Sequence, residues 1–124
     1  MKFHVAIVAG LVLAGPAVAA PAQSSADRGL RLAERNCSVC HAIGARGESP
    51  NPKAPSFRLI YRRYPAETLD EAFRKGLLTR HPAMPEMRFL PREIVDLTAY
   101  FRTLRSRGER EARAATVQRA AFAH

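Results

Sequence analysis

Apolar residues along this chain fall at helical spacing, not in the strict alternation of a half-buried strand. Between residues 27 and 37, Leu30, Ala33 and Cys37 recur at i, i+3 and i+7, with Arg28, Arg31, Glu34 and Arg35 on the other side. This predicts a first amphipathic helix, with Ser25 or Asp27 as its capping residue. Gly29 inside it costs about 1 kcal/mol relative to alanine; close approach by another helix, or fraying near the start, would account for it. Phe57, Ile60, Tyr61 and Tyr64, interleaved with Arg58, Arg62 and Arg63, predict a short second helix. Pro65 and Gly76 bracket a third over residues 67–75, which buries Leu69, Ala72 and Phe73. Ile94, Leu97, Phe101 and Leu104, with Tyr100 beside them, predict a last helix from Pro91 to about Arg107, ended by Gly108.

The stretches between these helices are irregular. Residues 42–55 hold two glycines and three prolines and predict a loop. In residues 77–90, Pro82 and Pro85 flank Ala83 and Met84, forbid a helix there, and present the methionine from a stiff segment. No internal repeat is present. The pattern predicts an all-α chain with about four to five short helices.

At 124 residues the chain has room for one domain. Lys2, the apolar run from Val5 to Leu13 and the small residues Ala17-Val18-Ala19 read as a cleaved secretory signal peptide over residues 1–19. The run is too short for a spanning helix and is broken by Gly10, Gly15 and Pro16. Residues 20–26 then form a flexible lead-in, 27–107 the domain, and 108–124 a basic, alanine-rich tail. Loss of Lys2 takes the formal charge from +9 to +8, with 19 basic and 11 acidic side chains left. Such a surface steers toward acidic protein partners or an anionic membrane surface, or simply keeps a small chain soluble. Export argues against nucleic acid, the usual partner of a basic chain.

The chemistry centres on Cys37-Ser38-Val39-Cys40-His41. C-x-x-C-H is the pattern of c-type haem attachment. Two thiols three positions apart project from about one helical turn, so both reach the vinyl groups on one edge of a haem, and His41 follows as proximal iron ligand. The export signal agrees, and places the chain in a bacterial periplasm. A zinc site would need a second Cys or His pair, yet there is no third cysteine, and His4, His81 and His124 are scattered. A dithiol redox pair or a short-loop disulfide is the other alternative. Met/His ligation raises a haem potential, so a distal methionine is sought: Met84 first, then Met87, with His81 third. A ligating histidine donates its other ring N–H to a carbonyl or carboxylate, and the carbonyls of residues 52–55, Pro55 foremost, are the candidate acceptors. Tyr and Arg around residues 57–64 suit donors to haem propionates, or ordinary packing.

With the haem motif near the start, a Met-Pro loop in the last third and an amphipathic final helix, residues 27–107 resemble a class I bacterial cytochrome c. Gly29, eight residues before Cys37, and Asp96-Leu97-Thr98-Ala99-Tyr100-Phe101 resemble that family's helix-crossing glycine and its D-L-x-A-Y-L signature. The resemblance implies a cytochrome c fold around one covalent haem c per chain, with Cys37 and Cys40 as the thioether pair, His41 the proximal ligand and Met84 the distal one. It also implies that Gly29 and Tyr100 meet where first and last helices cross. Ala33 departs from the bulky residue often found four before the first cysteine, which bears on the tightness of that crossing. The implied function is non-enzymatic: a monomer, or a subunit of a small complex, carrying one electron at a time between redox proteins with acidic docking surfaces. The alternatives are the haem c electron-accepting subunit of a larger dehydrogenase complex, a gas-binding or peroxidatic haem protein, and a helical binding protein with a C-x-x-C disulfide.

Overall fold

A computed structural model describes residues 22–77 and 83–122 of the chain. The signal-peptide segment 1–19 and His81, the third candidate ligand, lie outside the described residues. Four helices follow in order: α1 (Ser25–Asn36), α2 (Phe57–Arg63), α3 (Ala66–Arg74) and α4 (Pro91–Ala121). Among the described residues there is no strand, and no helix is long and apolar enough to cross a membrane. The other three helices all pack on α4, and α1 does so most extensively.

The α1 cap is Ser24, one residue before the expected Ser25. Its Oγ accepts from the Asp27 N–H at 3.1 Å, and the Asp27 carboxylate accepts from the Ser24 N–H at 3.2 Å. Asp27 is therefore the reciprocal member of a capping box and not the cap itself. The buried face of α1 is also turned from the expected Leu30, Ala33, Cys37 stripe: Gly29, Leu32 and Ala33 are buried, and Leu30 and Cys37 only partly so. The reason is Gly29. A Cβ there would stand 2.0 Å from the Asp96 carbonyl oxygen and 2.9 Å from Tyr100 Cβ, so α4's backbone rests directly on the glycine. The helix crossing, not fraying, explains the residue. Ala33 is wholly buried in the core beside it.

Helix α4 has Pro91 in its first turn, and Glu93 reaches back to accept from the Leu90 N–H at 2.8 Å. Its buried residues include Ile94, Leu97, Tyr100, Phe101 and Leu104, the last-helix stripe expected from the spacing. Leu97 and Leu104 are 1% exposed and centre a core shared with Phe57 and Tyr61 of α2 and Leu69 and Phe73 of α3. Gly76, at φ +78°, ends the α3 region as expected.

Gly108 does not end α4. The helix runs through it to Ala121, and the expected boundary at 107 is corrected. Gly108 is a second close-approach site: a Cβ there would come 2.3 Å from the Tyr61 hydroxyl oxygen and 3.2 Å from its Cζ. The tyrosine ring thus seats on the helix backbone. Beyond it residues 109–122 are exposed throughout, and five alanines between 112 and 121 favour the helical state without burial.

Candidate functional site

The end of α1 delivers the first cysteine. The Cys37 N–H donates to the Ala33 carbonyl at 2.8 Å as the helix's last bond, and the N–H groups of Cys40 and His41 then both donate to the Cys37 carbonyl, at 3.1 and 2.8 Å. The five motif residues are thereby wound into one tight turn. Both thiols are free. Burial pushes the Cys37 thiol up to about 11, well away from the depressed values of a redox-active C-x-x-C pair. Among the described residues, no group of three or more His, Cys, Asp or Glu side chains gathers as a metal site, so the zinc reading has no ligand set there.

The loop after His41 folds back over it. His41 Nδ1 lies 2.7 Å from the Pro55 carbonyl oxygen, the acceptor expected from the sequence. Proline has no N–H, so at this residue the backbone offers only its acceptor. With Nδ1 donating, the neutral ring keeps its Nε2 lone pair free for a metal ion. The loop is fastened at several points: Phe57 N–H to the Ala42 carbonyl at 2.9 Å, Ala42 N–H to Ser49 Oγ at 3.0 Å, and Asn51 N–H to the Cys40 carbonyl at 3.2 Å. Helix α4 adds a further clasp, the Tyr100 hydroxyl donating to the Ile43 carbonyl at 2.9 Å. Phe57, its ring centroid 5.8 Å from that of His41, stacks on Phe101 of α4 at 4.5 Å and 26°. An unbroken aromatic contact therefore connects the histidine to the core.

The distal candidates stand apart. Met84 and Met87, both half-buried, lie on the loop between α3 and α4, and among the described residues no hydrogen bond joins them to the His41 turn. The base of that loop is closed by the Leu77 N–H donating to the Met87 carbonyl at 3.1 Å. The Met87 backbone thus belongs to the loop's closure, while Met84 sits out in its bend.

Sequence reasoning missed three elements of this site. The sequence places the Tyr100 ring at the helix crossing and gives no sign that its hydroxyl reaches the loop. Arg105 donates to the Tyr61 and Tyr64 carbonyls at 2.6 and 3.1 Å, capping the end of α2. Arg46 of the loop pairs with Glu111 of the α4 extension at 3.1 Å. Each joins residues distant along the chain and carries no local pattern.

The family model for cytochrome c matches residues 26–105, well over half of the chain. The chain belongs to the cytochrome c family. Comparison with curated proteins and with solved structures gives no match. Cytochromes c are haem-binding electron-transfer proteins whose cofactor is covalent haem c with its iron, and this chain is accordingly a haem protein of that kind. The residues present fit the group: two free thiols in one turn, and a histidine whose Nδ1 is held by a carbonyl. The all-helical fold agrees with the family.

Proposed function

We propose that this cytochrome c is an exported, periplasmic, monohaem electron carrier. In this reading Cys37 and Cys40 hold the porphyrin by thioethers, His41 is the proximal iron ligand and Met84 the distal one. The observation that carries it is the 2.7 Å contact of His41 Nδ1 with the Pro55 carbonyl directly after a C-x-x-C-H turn. That bond fixes the ring's tautomer and orientation and raises its basicity as a ligand.

When bound, haem c supplies a one-electron iron couple, which Met/His ligation sets at the higher end of the range. The protein's part is positional. The turn from Cys37 to His41 sets two thiols and an imidazole in one place, and the loop to Pro55 covers the imidazole's far side. The Leu77 N–H bond to the Met87 carbonyl closes the base of the distal loop, and Met84, between Pro82 and Pro85 in the sequence, is the methionine we assign as the distal ligand. Held by His41 and Met84, the iron would have no position left for a substrate, which suits electron transfer and not catalysis of a reaction. Its basic surface favours redox proteins with acidic docking faces, and the chain acts as a monomer or as one subunit of a small complex.

The ligand assignment is tested by absorption spectroscopy of the oxidised protein. The weak sulfur-to-iron band near the red end is expected in the wild type and in Met87→Ala, and lost in Met84→Ala. Loss in Met87→Ala alone would move the ligand to Met87.

A further inference from the structure

We propose that the cleft between α1 and the first turns of α4 is an oxyanion-binding site that takes a free phosphate or sulfate. The cleft has a volume of about 180 Å³, and its charged lining is Arg28, Arg31 and Arg35 from α1 with Arg92, Glu93 and Asp96 from α4. Four guanidinium groups thus face two carboxylates.

Both carboxylates are already engaged. Asp96 accepts two bonds from Arg28, at 2.8 and 2.9 Å, and Glu93 accepts from the Leu90 N–H. Arg28 donates further to the Gln23 carbonyl and Ser25 Oγ, and Arg31 donates to the Gln23 amide oxygen. Arg35 and Arg92, on opposite walls, donate to no protein acceptor among the described residues. Their forks are the open donors of the cleft.

The ligand class follows from this geometry. A guanidinium matches two oxygens of one oxyanion, which an ammonium does not, and 17 of the 20 basic residues here are arginine. Arg28, Arg31 and Arg35 recur at i, i+3 and i+7, so one face of α1 carries all three toward α4. The start of α4 at Pro91 adds the positive end of its dipole. A small tetrahedral anion with its remaining waters suits the volume. An extended acidic protein surface is too large for a cleft of this volume to enclose. A bound anion would tie Arg35 to Arg92 and so bridge the helices that cross at Gly29. The site is independent of the haem reading.

The test is calorimetric titration of the haem-loaded full chain with inorganic phosphate, with sodium chloride at matched ionic strength as control. Saturable one-to-one binding of phosphate is expected, with a rise in melting temperature that chloride does not give. Arg35→Gln/Arg92→Gln, both exposed positions, leaves the Arg28–Asp96 pair intact and should weaken binding about tenfold or more. Arg110→Gln/Arg113→Gln, the same charge change on the α4 extension, should leave it unaltered. Equal responses to phosphate and chloride, or undiminished binding by the cleft variant, would overturn the proposal. So would saturable binding of a glutamate-rich peptide without binding of phosphate, which would assign the arginines to a protein contact.

Discussion

Gly29 and Gly108 do the same work at two places on α4, and each sets an expectation at single-residue scale. Adding a methyl at Gly29 drives it into α4's backbone, which cannot swing away as a flexible side chain can. Gly29→Ala should therefore destabilise the protein by about 1–3 kcal/mol or more in denaturant unfolding. At Gly108 the obstruction is the hydroxyl end of Tyr61. Gly108→Ala alone should lose stability despite alanine's better helix propensity; combined with Tyr61→Phe, which removes the oxygen, it should recover most of the loss. A Gly108→Ala single variant that melts above wild type would refute the seat. The two glycines also show what the chain reveals before it is folded. Gly29 was readable because an isolated glycine in a strong helical pattern asks for a reason, and the Pro55 acceptor because a ligating histidine needs one. Gly108 reads as a stop in the sequence because its partner lies in another helix, and a helix breaker and a seat for an aromatic ring look alike there.

Among elements, the pairing of α1 with α4 rests on the glycine contact and on the Arg28–Asp96 ion pair. The Arg28 guanidinium, hydrogen-bonded to Asp96, holds its carboxyl below the usual carboxylate range. A carboxyl depressed by folding contributes stability above its unfolded pKa and loses it as pH falls through its folded value. Asp96→Asn should thus lower stability at neutral pH, and the difference from wild type should shrink as the solution is acidified below the ordinary aspartate pKa. Unfolding by urea across that range measures it, and a variant gap that widens in acid would contradict the assignment. Another test concerns the loop wrapping His41. Tyr100→Phe deletes the bond to the Ile43 carbonyl and should cost about 1 kcal/mol, seen as a lower urea midpoint. The four helices themselves were legible from spacing, prolines and glycines. Their ends were less so: the α1 cap moved by one residue because Asp27 faces back to Ser24, and α4 outran its apolar stripe because alanine sustains a helix that buries nothing.

For the whole molecule, α4 is the member that every other helix touches; it also fastens the proximal loop through Tyr100 and Glu111 and the end of α2 through Arg105. The cytochrome c match ends at residue 105 while the helix goes on to Ala121, so the extension is carried by the domain and linked to it at Tyr61 and Arg46. The basic surface gives an expectation at this scale: electron transfer to an acidic redox protein should slow as ionic strength rises, and stopped-flow measurement showing no dependence would count against electrostatic docking. All of this presumes that the Cys37–His41 turn carries its prosthetic group covalently. The most direct measurement is the intact mass of the protein matured in a host competent for haem attachment. The account predicts the polypeptide mass plus one haem, with the addition lost as a stable adduct in Cys37→Ala/Cys40→Ala; a wild-type mass equal to the bare polypeptide would contradict it.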